Sequence, residues 1–362
     1  MHSWDAIIIG GGIIGLSLAI SLRKQGLRVL IVERGEPGRE ASHAAAGMLA
    51  GSGSEIPPAL RLLAKESARI YPEFVHELED ESGMRVDLRE QGAILISSTG
   101  DFPGAAERIS SEQLLALEPA LAVAGRGRPV PHEPVSAETP AAFLRERSVD
   151  PPALTAAAIR AAHHRGVDIS SGSEVTGLVV AGDRMTGVQT ARTSYAAPVV
   201  INCAGAWAGC IGPLRFPVRP VKGQMLSVVG GARLKHVVRA ENVYLVPRTD
   251  GRLVIGSTLE EAGYDTRTDV NTIQGLLHAA VEVVPGLAEA KIHGDWAGLR
   301  PATPDELPIL GETELKGYFL AAGHFRDGIL LAPITAQMMT DLILGKAPGC
   351  DLGSFSPERF HR

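Results

Sequence analysis

The chain has 362 residues, 45% of them apolar and 21% charged, with a formal net charge of −6. That composition fits an ordinary folded protein of about two domains and excludes the disordered and fibrous classes. Lys and Arg are dispersed and acids outnumber them, so neither a nucleic acid nor an anionic membrane is expected as a partner.

The chain opens with Met1-His2-Ser3-Trp4-Asp5, which lacks a basic region, and no signal peptide is expected. No apolar run reaches the roughly 18 residues that a membrane-spanning helix needs. Next comes Ala6-Ile7-Ile8-Ile9, a short apolar run of the kind that forms a buried parallel strand, followed by Gly10-Gly11-Gly12-Ile13-Ile14-Gly15. Helical spacing continues from Ile13 to Lys24 and stops at Gln25-Gly26, and a second apolar run, Val29 to Val32, ends at Glu33. This is a strand–turn–helix–strand unit with the G-x-G-x-x-G fingerprint in its first turn. Gly10 permits the tight turn, Gly12 lets the backbone approach a pyrophosphate, and Gly15 lets helix and strand pack closely. The helix N-terminus offers free N–H groups to phosphates, and the Glu33 carboxylate can accept from ribose hydroxyls. The unit predicts an ADP-bearing cofactor and leaves FAD and NAD both open.

After Glu33 the loop Gly35 to Glu40 leads into the small-residue stretch Ala41 to Gly51. The spacing predicts a helix over 58–82, with Leu60, Leu63, Tyr71, Phe74 and Leu78 on one face, and a strand over 91–97. A Pro-rich connecting loop is expected over 125–140, a helix over 151–165, and a short strand over 166–169. Val175 to Val180 and Met185 to Thr190 read as a small β-meander, and Pro198 to Gly205 as another buried strand. The runs 226–229, 243–246 and 253–255 read as an antiparallel sheet. Strand 318–322, Gly323 and a helix over 328–344 close the chain. The three cysteines, Cys203, Cys210 and Cys350, are too few and wrongly spaced for a disulfide framework or a zinc site. Two of them fall in or just after an apolar strand and read as small core residues, so no metal is expected and a reduced, cytoplasmic setting is.

Parallel signals at both ends and in the middle, with antiparallel signals between, predict an α/β fold. A Rossmann-like, doubly wound parallel sheet is assembled from discontinuous segments (1–85, 145–215 and 297–362), with an antiparallel-sheet substrate domain inserted (86–144 and 216–296). An NAD-type domain would place six strands contiguously in the first ~150 residues. Residues 35–150 do not show them.

Several blocks together resemble the D-amino-acid oxidase superfamily of flavoenzymes, and within it the glycine oxidases. They are the N-terminal fingerprint, Ser42 to Leu49, Tyr244 to Arg248, Gly298-Leu299-Arg300-Pro301, and Ala322 to Pro333. The resemblance covers nearly the whole chain. It implies noncovalent FAD and oxidative deamination of glycine, sarcosine and small D-amino acids. The products are the 2-oxo acid, ammonia or amine, and hydrogen peroxide, with O2 as acceptor and a link to thiamine thiazole biosynthesis. It also implies a homo-oligomer, with a tetramer suspected. By the same resemblance FAD contacts fall on Ile13, Ile14, Glu33, Arg34, Ala41, Ser42, Ala46, Gly47, Met48, Val175, and on His324, Phe325, Arg326, Asp327, Gly328, Ile329 and Leu330. Arg300 matches the carboxylate-binding arginine, and Tyr244 and Arg326 match residues lining the substrate site.

The residue types suit that chemistry. A guanidinium offers a rigid bidentate fork to a carboxylate, although Arg300 read alone could equally form a salt bridge to an acid. Tyr244 could donate to the same carboxylate or be a core tyrosine. Arg326 could be a second anchor, a flavin contact or a cap for a neighbouring helix. Asp327 is expected to cap the helix from Gly328, whose N-terminus would favour an anionic flavin. A substrate bound with a neutral amine needs no acid–base pair, so His324 is expected to act through packing or its backbone, and His163 and His164 to face solvent. Some relatives attach FAD through a histidine directly before Ala-Ala-Gly; here Ala44 holds that place and His43 is one position earlier. Leu259 stands where glycine oxidases can carry a methionine lining the pocket. Two rivals stay open at this point: an amine or D-amino-acid dehydrogenase that passes electrons to a carrier other than O2, and a flavin-binding protein without turnover.

Overall fold

The structure, a computed structural model, describes residues 4–51, 56–121 and 140–360. The expected loop over 125–140, apart from residue 140, and Met1 to Ser3 of the N-terminal reading lie outside the described residues. The nucleotide-binding unit forms as expected: strand β1 (Ala6–Ile9), helix α1 (Ile13–Lys24) and strand β2 (Val29–Val32). Both strands are buried along their whole length, and each buried Ile or Val contributes about 1.5–3 kcal/mol. Helix α1 ends at Gln25, where Gly26 adopts φ 86°. A four-residue helix, α2 (Ala41–Ala44), follows. The helix expected over 58–82 consists of a 3-10 turn, Pro58–Leu60, running into α3 (Arg61–Ser82). Leu60, Leu63, Tyr71 and Leu78 are buried there, with Phe74 packed alongside.

Along the rest of the chain the expected elements appear as strand Ala93–Ile96, helix α4 (Pro151–His164), strand Asp168–Ser170 and the meander Val175–Ala181, Arg184–Thr190 and Ser194–Ala196. Strands β3 (Val199–Asn202), β4 (Arg219–Val229), β5 (Tyr244–Pro247) and β6 (Leu253–Gly256) come next. Helix α5 (Val270–Val283) and strand β7 (Lys291–Ala302) are additions to the expected set. Strand β8 (Tyr318–Ala322) and helix α6 (Gly328–Ile343) close the core. Among the described residues no helix is long and apolar enough to cross a membrane.

Two large sheets organise these elements. The first has six strands in the order Ile309–Glu312, β8, β3, β1, β2, Asp168–Ser170; all pairs are parallel except Ile309–Glu312 with β8. Because side chains alternate along a strand, its two faces bury different partners. Ala6, Ile8, Ile31 and Ile201 join the cluster containing α1, α3, α4 and α6. Ile7, Ile9, Leu30 and Val200 pack against Met185 and Val188 of the meander.

The second sheet has eight strands in the order β7, β4, β6, β5, Val237–Arg239, Ala93–Ile96, Ala141–Leu144, Glu107–Ile109. The same period-2 logic sets its faces. Leu226, Val228, Leu245 and Ile255 bury against Ile273, Leu276 and Ala280 of α5. The opposite face carries Met225, Tyr244, Gly256, Gly223 and Arg300. They share a side because Met225 and Tyr244 both pair with Gly256, and Arg300 pairs with Val221, two residues from Gly223. That face is turned toward the carboxyl ends of β1 and β3.

Candidate active site

Strand order in the first sheet reverses at β1, where ligands of open α/β sheets bind beyond the carboxyl ends of the strands. A cavity of about 610 Å³ opens there and runs from Gly10 and Glu33 to Tyr244, Arg300 and the His324–Ile329 turn. Gly10 adopts φ 106°, and a Cβ on it would stand 2.5 Å from the Cys203 carbonyl oxygen. A Cβ on Gly15 would stand 2.1 Å from the Gly10 carbonyl oxygen, so Gly15 closes helix on strand and does not itself line the cavity.

Gly12 occupies the N-cap of α1 and has no side chain to cap it. Ser42, from α2, does so instead: its Oγ accepts from the Ile13 N–H at 2.9 Å. The Ser42 hydroxyl can still donate, so a phosphate oxygen at this helix N-terminus would meet both a dipole and a donor. Glu33 is buried, with Oε2 accepting from Gly11 N–H at 2.7 Å and Oε1 from Gly35 N–H at 2.8 Å. Each carboxylate oxygen keeps a lone pair for a ribose hydroxyl. Ile13, Ile14, Arg34, Ala41 and Val175 line the same end. The Arg34 guanidinium lies 3.5 Å over the Trp207 ring and pairs with Glu40 at 2.6 Å. Farther along, Ala46, Gly47 and Met48 form one wall. Gly47 has φ 74°, and a Cβ on it would stand 2.0 Å from the Val149 carbonyl oxygen. Buried Arg248 fastens this wall by donating from Nη2 to the Ala46 carbonyl at 2.6 Å. A glycine turn at a helix N-terminus, a hydroxyl donor and a buried carboxylate in one channel fit the ADP half of FAD.

The other end is built on glycines. The Arg300 side chain lies across Gly223, where a Cβ would stand 2.3 Å from Nη1 and 2.5 Å from Nη2. Arg300 Nη2 donates to Ser257 Oγ at 2.6 Å and Nη1 to the Thr258 carbonyl at 3.1 Å. Among the described residues no carboxylate pairs with it, so the salt-bridge reading is set aside. Burial draws the Arg300 pKa below the ordinary guanidinium value; neighbouring Tyr244 opposes that shift and Arg326 adds to it. The Tyr244 ring lies over Gly256, where a Cβ would stand 2.6 Å from its Oη. Gly298 plays the same part against α2, since a Cβ on it would stand 2.4 Å from that of Ala44.

The turn after β8 completes this end. Phe325 adopts φ 46° and donates its N–H to the Pro301 carbonyl at 2.9 Å, which ties the turn to the end of β7. Arg326 is exposed, with its guanidinium 5.0 Å from the Phe325 ring centre, and it lines the cavity with Asp327, Gly328 and Ile329. His324 is buried and its Nε2 meets Thr335 Oγ1 at 3.1 Å; burial lowers its pKa to about 3, so the ring is neutral at working pH.

The chain matches the DAO family, described as FAD dependent oxidoreductases, over residues 5–342. The chain belongs to this family. It is 35% identical to the glycine oxidase of Geobacillus kaustophilus over 382 residues, covering 99% of this chain and 97% of that protein. The crystal structure of glycine oxidase from that organism superposes with a TM-score of 0.89 at 32% identity, covering 99% of each chain. The chain is 37% identical to the bifunctional protein ThiO/ThiG of Trichormus variabilis over 99% of its own length, but spans about half of that relative (55%). It is also 32% identical to the hydrogen cyanide synthase subunit HcnC of Pseudomonas aeruginosa, covering 99% of this chain and 97% of that one. The fold and the FAD dependence expected from the sequence therefore stand.

Three details differ from expectation. Asp327 occupies the N-cap of α6, yet its side chain makes no capping hydrogen bond to the helix. Leu330 does not line the cavity; it is buried in α6, where its carbonyl accepts from Ser67. Cys203 is a core residue as expected, whereas Cys210 is exposed. His163 and His164 are exposed as expected. The sequence reading missed Gly223, Gly256, Ser257, Thr258 and Trp207. A single glycine inside an otherwise apolar strand signals close approach of another group, and Gly223 and Gly256 carry that signal.

Proposed function

We propose that this chain catalyses the oxidative deamination of glycine, sarcosine and small D-amino acids to the 2-oxo acid, ammonia or amine, and hydrogen peroxide, with O2 as acceptor. One observation carries the reading. Among the described residues Arg300 is a half-buried guanidinium that bonds only neutral groups, held on a glycine floor beside the Tyr244 ring, in the same cavity as the dinucleotide fingerprint. Such a group is matched to a substrate carboxylate. FAD, when bound, supplies the two-electron acceptor chemistry. The chain's own part is positioning: Arg300 and Tyr244 orient the carboxylate, and the apolar and glycine walls exclude water. His324 is buried against Thr335 and burial disfavours its protonated form, so its part is packing. The reading also places the product in thiamine thiazole synthesis, which predicts a thiamine requirement when the gene is removed.

The test is an anaerobic absorbance titration with glycine, sarcosine and D-alanine, followed by air. Bleaching of the flavin band with rapid recovery and peroxide supports the oxidase. Bleaching without recovery in air would assign a dehydrogenase that passes electrons to a carrier other than O2. A yellow protein that none of the three substrates bleaches would remove the substrate assignment.

A further inference from the structure

Residues 257–269, between β6 and α5, are fastened at both ends of the cavity. Their start holds Arg300, through Ser257 Oγ and the Thr258 carbonyl. Their middle is tied to β4: Glu260 and Lys222 exchange backbone hydrogen bonds of 2.9 Å each, and the buried Lys222 ammonium donates to Asp265 at 3.2 Å. Their tip reaches the opposite end. The Tyr264 ring stacks on Trp207 with centroids 5.4 Å apart and planes 25° apart, and its hydroxyl donates to the Ala206 carbonyl at 3.2 Å. The Trp207 ring also carries the Arg34 guanidinium. Trp207, Ala206 and Arg34 line the cavity close to Glu33 and Val175, at the end that fits ADP. Arg34, Trp207 and Tyr264 thus link the end of β2 to the segment that positions the candidate carboxylate anchor.

We propose that Tyr264 is a positioning residue: it latches segment 257–269 onto the ADP end of the cofactor site and thereby sets the placement of Arg300. Tyr264 is 45% exposed and does not line the cavity, so it acts through Trp207 at one end and the segment backbone at the other. The proposal rests on Arg300 binding the substrate carboxylate. Its consequence is energetic coupling: FAD retention and carboxylate binding strengthen each other, and by linkage the effect is reciprocal.

The test measures FAD release from the holoenzyme after dilution, followed by flavin fluorescence, with and without methoxyacetate, a carboxylate that lacks the amine. In the unaltered enzyme methoxyacetate slows release. Tyr264→Ala is expected to release FAD roughly three- to tenfold faster, the range an aromatic pair supports, and to lose the methoxyacetate effect. Its KM for sarcosine rises while kcat at saturating FAD holds. Tyr264→Phe keeps the stack on Trp207 and loses only the hydroxyl bond to the Ala206 carbonyl, so all three readouts return most of the way to those of the unaltered enzyme, which a general loss of folding would not allow. Release from Tyr264→Ala at the unaltered rate overturns the latch. Faster release with the methoxyacetate effect intact overturns the coupling, because direct contact between carboxylate and flavin would then explain it. If methoxyacetate perturbs the flavin spectrum of the unaltered enzyme yet leaves release unchanged, the coupling falls and the carboxylate site stands; if it does neither, both fall.

Discussion

Gly223→Ala perturbs the proposed anchor without replacing it. The new Cβ would stand 2.3 Å from Arg300 Nη1 and 2.5 Å from Nη2, closer than real Cβ contacts come. Gly223 has no positive φ, so alanine brings no backbone strain and the whole effect falls on the guanidinium. To reach ordinary contact the guanidinium must move by about 1 Å, which lengthens its 2.6 Å bond to Ser257 and its 3.1 Å bond to Thr258 past useful range. A hydrogen bond to a charged group is worth about 1.5–3 kcal/mol, so losing one arm of the substrate fork raises the KM for glycine roughly tenfold to a hundredfold. Overpacking adds a stability cost of about 1–3 kcal/mol. The assay is the glycine KM from peroxide formation, with the FAD-to-protein ratio and melting temperature measured alongside. FAD content stays normal, because Gly223 lies at the substrate end. In an Arg300→Ala background, Gly223→Ala has no guanidinium to displace and adds nothing to KM. An unchanged KM in the single variant, or an undiminished effect in the double variant, refutes the reasoning.

Arg300→Ala itself raises KM steeply at normal FAD content, and an unaltered KM would remove Arg300 from the site. Ser42→Ala strips the side-chain cap from α1 and a donor from the phosphate position. A loss of about 1 kcal/mol in stability and weaker FAD binding follow, read by melting temperature and flavin titration. His324 has a folded-state pKa of about 3 against an ordinary value of 6.5, so only the unfolded chain takes up its proton between those limits. Stability then falls as pH drops below about 6.5, by up to about 1.4 kcal/mol per pH unit. Melting curves of His324→Gln should show a flatter decline between pH 6.5 and 4.5; matching slopes would count against a buried neutral ring. Acid precipitation should release all flavin into the supernatant, since His43 does not line the cavity. Yellow colour retained in the pellet would reverse that expectation.

How much was legible depended on how local each signal is. The β1–α1–β2 unit could be read because turn, helix cap and buried strands all lie within one short stretch, where apolar runs and glycines carry the pattern directly. Strand β7 escaped because its first half, Lys291 to Asp295, forms an exposed, polar edge of the sheet and offers no apolar run. Resemblance singled out Arg300 and Tyr244, but not what makes room for them. Gly223, Gly256 and Gly298 lie on three different strands and become one floor only through the pairing register. Ser257 and Thr258 likewise meet Arg300 only because β6 ends beside β4. The sequence by itself determined the dinucleotide turn, the alternation that buries each strand and the residue types suited to a carboxylate. Only the tertiary structure decided which glycines clear space for Arg300, and that Ser42 caps a helix far from it in the chain. Both depend on contacts between segments that no local periodicity encodes.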